Sequence, residues 1–164
     1  MKLVALVLAA GTGTRFSSRG HGGKLSASLD GQPLITHALR AACAAPVERV
    51  VVVASPDLPV PERAGVEVVR LTSTALSDSL RAGVAAVGQV DGVFVFLGDM
   101  PRVPPDVAGR LAQALGQNYA AVPVYRSQRG HPVLLSARAM ADLTGITGDR
   151  GAGALIKACS DVAV

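Results

Sequence analysis

Two alternating hydrophobic patterns run along this chain. Unbroken apolar runs at 3–8, 50–54 and 93–97 have the length and composition of strands that are covered on both faces in a parallel sheet. Apolar residues at spacings of three and four predict helices over 34–42, 76–87 and 107–115, the first of them stopped by Pro46. The alternation predicts βαβ units and hence an α/β fold, a three-layer αβα arrangement around a Rossmann-like, mainly parallel sheet.

The remaining predicted elements are shorter. Strands are expected at 66–71, 120–124 and 132–135, short helices at 137–143 and 152–158, and a last strand from 161. Serine and threonine residues just before Leu76 are expected to cap the helix that starts there. The pattern shows no internal repeat, so residues 1–164 are expected to form one domain.

Composition narrows the class of protein. Of the 164 residues, 49% are hydrophobic and only 3% are aromatic, which predicts an aliphatic core. No stretch approaches the roughly 18 apolar residues of a membrane span, and Gly11 soon breaks the first apolar run, so a cytoplasmic protein is expected. Cys43 and Cys159 lie far apart in alanine-rich contexts and are expected to be small core residues.

The charge balance is basic, with 16 Lys and Arg against 12 Asp and Glu. The arginines are scattered and no cluster of cations is interleaved with stacking aromatic residues, so a nucleic-acid surface is not indicated. Binding of an anionic small molecule explains the excess of basic residues better.

A polar connection after the first strand has the composition of a phosphate-binding loop. Gly11 and Gly13 allow several backbone amides to converge on one anion, and Arg15, Arg19 and Lys24 add positive charge. This composition predicts a polyphosphate ligand.

Two named phosphate motifs do not fit this loop. The dinucleotide-binding fingerprint needs a third glycine where the chain has Phe16, and Gly23-Lys24-Leu25 lacks the hydroxyl residue of a P-loop. The alternative is a surface loop whose glycines serve turns and whose cations are solvated, but loops of this length in a compact domain are usually functional or disordered.

An aspartate follows the apolar run at 93–97. Because ligands bind beyond the carboxyl ends of strands in such sheets, Asp99 is expected near Arg15 and Lys24. A carboxylate beside bound phosphates suits Mg²⁺, although an aspartate that stabilises its own turn is the alternative. An acceptor oxyanion could then attack the α-phosphorus while pyrophosphate leaves in line, and no covalent intermediate is required.

Five segments, taken in order, resemble the MobA-like nucleotidyltransferases and are most similar to the molybdenum cofactor cytidylyltransferase branch. They are LAAGTGTR at 8–15 together with Lys24, SLRAG at 79–83, GDMP at 98–101, RGHP at 129–132 and GDRG at 148–151. The resemblance implies a nucleotide-diphospho-sugar transferase-like fold. It also implies Mg²⁺-dependent transfer of CMP from CTP to molybdopterin, with a molybdenum hydroxylase as the recipient of the product.

The resemblance assigns roles residue by residue. Catalytic roles fall on Arg15, Lys24 and Asp99, the last as metal ligand. Nucleotide-binding positions are Leu8, Ala9, Ala10, Gly11, Gly13, Arg15, Lys24 and Ser79. His131 and Asp149 fall on the pterin side of the cleft. Ala10 stands where guanylyl-transferring relatives usually carry glycine, which favours cytidine.

Several alternatives stay open at the level of sequence. Ser79 could be a helix-capping serine, His131 a partly buried strand-end residue, and Asp149 the cap of the following helix. The enzyme could use GTP or act on a sugar phosphate. The family's carboxyl-terminal aspartate motif is not among these 164 residues, which leaves a non-catalytic carrier of the cofactor as a further alternative.

Overall fold

The first apolar run forms strand β1 (Leu3–Ala9), and every residue of this strand is buried. The structure, a computed structural model, describes residues 1–11, 23–72, 75–147 and 151–164. Strand β1 pairs in parallel with β4 (Arg49–Ala54) on one side and with β6 (Gly92–Leu97) on the other. The three unbroken apolar runs are therefore neighbours inside one sheet.

The sheet has seven strands among the described residues, in the order β11-β7-β10-β6-β1-β4-β5. Strand β5 (Val66–Arg70) is parallel to β4 and forms one edge. On the other side, β10 (Val133–Ser136) runs antiparallel to both β6 and β7 (Ala120–Ala121), and β11 (Val162–Ala163) is parallel to β7. The predicted mainly parallel sheet is confirmed, but the reversal of β10 was not foreseen.

Five helices cover the two faces of the sheet in the described part of the chain. They are α1 (Leu34–Ala44), α2 (Leu76–Val87), α3 (Val107–Leu115), α4 (Ala137–Asp142) and α5 (Ala152–Ala158). Alternate residues of β1 enter two separate cores, one closed by α1 and α3 and the other by α2, α4 and α5. This arrangement is the predicted three-layer αβα fold.

The strand predicted at 120–124 is divided in two. Only β7 joins the main sheet, because Pro123 has no N–H to continue the ladder. Beyond it, β8 (Val124–Tyr125) and β9 (Gln128–Arg129) form a small hairpin, whose turn residues Arg126 and Ser127 have positive φ angles. A second small ladder joins β2 (Ser28–Leu29) to β3 (Gln32–Pro33) just before α1.

Two further expectations need correction. Cys43 is exposed, because the buried face of α1 is formed by Ile35, Ala38, Leu39 and Ala42 and leaves position 43 outside. Cys159 is half-buried and packs against the core. Helix α2 begins after Ala75, whose side chain cannot cap it, rather than after a serine or threonine. In the described residues, no helix has the length and apolar character needed to span a membrane.

Candidate active site

A lysine and an aspartate 75 residues apart meet at the carboxyl edge of the sheet. The Lys24 ammonium donates a hydrogen bond to Asp99 Oδ2 at 2.8 Å. Lys24 begins a short 3-10 helix that packs against α1, and Asp99 lies two residues beyond the end of β6. The side chains of Lys24 and Asp99 are 43% and 40% exposed, so a ligand can reach both groups.

The turn that carries Asp99 is fixed to the end of β1. The Gly98 amide donates to the Leu8 carbonyl at 2.9 Å. A Cβ atom at position 98 would lie 3.1 Å from that oxygen and 3.3 Å from Ala9 Cβ, so this close approach favours glycine. The aspartate turn and the start of the glycine-rich loop are therefore held as one unit.

The end of β1 presents backbone rather than side chains to this edge. Leu8, Ala9 and Ala10 are 9%, 2% and 1% exposed, and their side chains pack in the core, whereas Gly11 is exposed. Gly13 and Arg15 lie outside the described residues, and their assigned roles stay predictions.

His131 reaches the same edge because β10 is antiparallel. The register Val133↔Val95 puts the beginning of β10 beside the carboxyl end of β6, and His131 precedes that beginning by two residues. The side chain is half-buried, and burial lowers the pKa of its imidazole, while the negative charge of Asp99 opposes part of the shift. Burial therefore favours the neutral form of the His131 imidazole, which lies within the electrostatic range of Asp99.

A cavity of about 350 Å³ opens beside His131. Its walls come from the carboxyl ends of β1 and β6, the start of β10, and helices α2 and α5. The lining residues are Leu8, Leu76, Leu80, Val95, Leu97, Val122, Arg129, Gly130, His131, Val133, Gly151, Ala152, Gly153, Ile156 and Lys157. Most of this surface is aliphatic. Leu8 and His131 are the lining residues to which the sequence assigned a site role, while Leu80, Arg129, Gly130 and Gly151 belong to the quoted motif segments without an assigned role.

The segment 79–83 divides into structural and candidate functional residues. Arg81 donates to the Ile146 carbonyl and to Asp78, which ties α2 to the segment before residue 148. Gly83 lies directly against Leu6 of β1. Ser79 is 3% exposed, and the nearby Ser77 is 1% exposed with a hydroxyl that has no hydrogen-bond partner among the described residues. The sequence did not predict that these two hydroxyls, in the first turn of α2, would be buried.

The remaining predicted site residue, Asp149, lies outside the described residues. Helix α5 begins after Gly151, which has no side chain to cap it. The role of Asp149 on the acceptor side stays a prediction.

The residues present fit a divalent cation that is shared with a ligand. No group of three or more His, Cys, Asp or Glu side chains gathers within residues 1–11, 23–72, 75–147 and 151–164. Asp99 offers one accessible carboxylate, an oxygen ligand of the kind Mg²⁺ prefers, and nucleotide phosphates are the usual source of the remaining oxygens.

Lys24 and Asp99 lie beyond the carboxyl ends of parallel strands, where ligands bind in open α/β sheets. Residues 5–162 match the family model described as "MobA-like NTP transferase domain". The chain belongs to this family.

Individual relatives agree with this fold. The chain is 36% identical over 131 residues to the bifunctional protein GlmU of Paramagnetospirillum magneticum, a match that covers 75% of this chain but only 28% of GlmU. Rv0371c from Mycobacterium tuberculosis H37Rv, solved in complex with manganese, matches with a TM-score of 0.80 at 22% identity, covering 99% and 86% of the two chains. The 4-diphosphocytidyl-2C-methyl-D-erythritol synthase of Anaerococcus prevotii matches with a TM-score of 0.74 at 14% identity, covering 99% and 86%.

Proposed function

We propose that this protein transfers CMP from CTP to molybdopterin and releases pyrophosphate in a magnesium-dependent reaction. The observation that carries the proposal is the 2.8 Å contact of Lys24 with Asp99, beside the loop that begins after β1. A cation and a carboxylate at this edge can serve the phosphates and the metal of a nucleoside triphosphate at the same time. Membership of the MobA-like family supports nucleotidyl transfer as the reaction.

The chemistry assigned to these residues is positioning and charge stabilisation. On nucleotide binding, the Lys24 ammonium would exchange Asp99 for a phosphate oxygen, and Asp99 together with the phosphates would hold Mg²⁺. Bound magnesium supplies neutralisation of the phosphate charge. Arg15 and the amides near Gly11 and Gly13 would complete the triphosphate site. An acceptor phosphate is already an anion at neutral pH and needs no general base.

The proposed preference for a cytidine nucleotide is based on Ala10, just after the end of β1. Ala10 is 1% exposed, and its methyl group occupies core space where guanylyl-transferring relatives usually carry glycine. A structural neighbour whose name describes the synthesis of a diphosphocytidyl compound also supports cytidylyl transfer. The acceptor assignment is supported by the aliphatic cavity, which can cover the faces of a planar ring.

A direct assay tests both the nucleotide and the acceptor. The protein is incubated with molybdopterin, MgCl₂ and either CTP or GTP, and pyrophosphate release is measured. We expect release with CTP at a rate about tenfold or more above that with GTP. A preference for GTP, or equal transfer to a sugar phosphate, would contradict the proposal.

A further inference from the structure

The cavity beside His131 has two cations at its rim. Arg129 ends the β8–β9 hairpin, and Lys157 lies in the last turn of α5, so the two side chains approach the opening from different elements. Both residues are exposed. Within the described parts of the chain, no carboxylate forms an ion pair with either of them, in contrast to Lys24, Arg49, Arg81, Arg110 and Arg138.

The described walls behind these cations are mostly aliphatic. Among the lining residues that the structure describes, only Arg129, His131 and Lys157 have polar side chains, and the others are aliphatic or glycine. A volume of about 350 Å³ lies within the usual range of small-molecule sites. Such a cavity suits a molecule with a flat body and one anionic end, because aliphatic walls can cover the faces of a ring and the two cations can pair with the anion.

The hairpin gives Arg129 a fixed position. Val124 pairs with Arg129 across β8 and β9, and the Gly130 amide donates to the Pro123 carbonyl at 2.8 Å just beyond this pair. The backbone at position 129 is therefore held from both sides. A cation on a fixed backbone loses less freedom on binding an anion than one on a loose loop.

We infer that Arg129 and Lys157 bind the phosphate group of the acceptor, whose flat ring system is seated in this cavity. This inference rests on the proposed function, since it assigns the acceptor side of the same site. Two positive charges favour the dianion of a phosphate monoester over the monoanion. The dianion is the better nucleophile, so the same contacts select the acceptor and prepare it for attack.

Steady-state kinetics test the inference with matched variants. Arg129→Gln and Lys157→Gln should each raise the KM for molybdopterin about tenfold or more, with the KM for CTP changed less than about twofold. Arg129→Lys and Lys157→Arg should recover much of the loss, because the charge is retained. Arg110→Gln on α3 removes the same charge from an exposed residue outside the cavity and should leave both KM values unchanged. An unchanged KM for molybdopterin, or equal changes for both substrates, would overturn the inference.

A binding experiment keeps the inference separate from the proposed reaction. The probes are 8-anilinonaphthalene-1-sulfonate, which combines an aromatic body with an anion, and N-phenyl-1-naphthylamine, which lacks the anion. We expect fluorescence titration to show weaker binding of the sulfonate by Arg129→Gln and Lys157→Gln, with binding of the uncharged probe retained. Equal binding of the sulfonate by these variants and the wild type would contradict the anion site, even if CMP transfer occurs. Absence of CMP transfer by the wild type, with the sulfonate result as expected, would contradict the reaction alone.

Discussion

At the scale of single residues, the pair of Lys24 and Asp99 connects the sequence to the proposed chemistry. Both side chains are about 40% exposed, and ion pairs with this exposure contribute only about 0–1 kcal/mol to stability. The fold therefore does not depend on the pair. Its position beyond β1 and β6, where ligands of such sheets bind, supports the proposal that the two residues serve a ligand.

His131 provides a prediction about pH. Because burial lowers the pKa of this imidazole below 6.5 in the folded protein, the unfolded chain binds more protons in the interval between the two pKa values. The contribution of the neutral side chain to stability is therefore complete above pH 6.5 and is lost as the pH falls through the lowered value. We expect the free energy of unfolding in urea to fall more between about pH 7.5 and about pH 5.5 for the wild type than for His131→Gln.

Comparing the loss of stability in the two proteins isolates the effect of the histidine. Carboxylates that do not interact with position 131 titrate in the same way in both proteins, so their effects cancel. Equal losses of stability on acidification would show that the imidazole is not held neutral by burial.

At the scale of elements, the contact of α2 with β1 determines how the carboxyl edge is built. A Cβ atom at Gly83 would lie 2.4 Å from Leu6 Cδ1, and Leu6 is fully buried. Any side chain at position 83 must push α2 away from the sheet or displace Leu6. Because Ser77, Ser79, Leu76 and Leu80 lie on the same helix, the glycine also sets the position of the cavity wall.

Gly83→Ala is therefore expected to destabilise the protein by about 1–3 kcal/mol through overpacking, less any gain in helix propensity. Gly109→Ala is the matched control, since position 109 also lies in a helix but has no atom within 4 Å of an added Cβ. This control should be stabilising by about 0.5–1 kcal/mol. Urea unfolding of both variants measures the two effects, and a stable Gly83→Ala variant would contradict the close packing of α2 on β1.

The elements that the sequence predicted are those with strong local patterns. The runs at 3–8, 50–54 and 93–97 are strands, and the helical spacing at 34–42, 76–87 and 107–115 corresponds to α1, α2 and α3. The direction of β10 has no local signature, because an apolar strand has the same composition in parallel and antiparallel pairs. The exposure of Cys43 depends on which face of α1 meets the sheet, and alanine-rich stretches mark that face weakly.

At the scale of the whole molecule, the candidate site is assembled from segments far apart in the chain. The approach of Lys24 to Asp99 could be expected from the rule that ligands gather beyond the carboxyl ends of strands. The cavity could not be predicted, because its walls come from α2, β10 and α5. Its shape depends on the antiparallel direction of β10 in the sheet. Arg129 belongs to the RGHP segment at 129–132 but was given no role from the sequence, and Lys157 lies in none of the five segments.

The most direct test of the central claim is calorimetric measurement of CTP binding to the wild type and to Asp99→Asn, with and without MgCl₂. If Asp99 holds the metal that accompanies the nucleotide, magnesium should strengthen CTP binding by the wild type about tenfold or more and have little effect on the variant. Urea unfolding should show nearly equal stability, since the Lys24 pair is exposed. Magnesium-dependent CTP binding by a folded Asp99→Asn protein, equal to that of the wild type, would contradict the account.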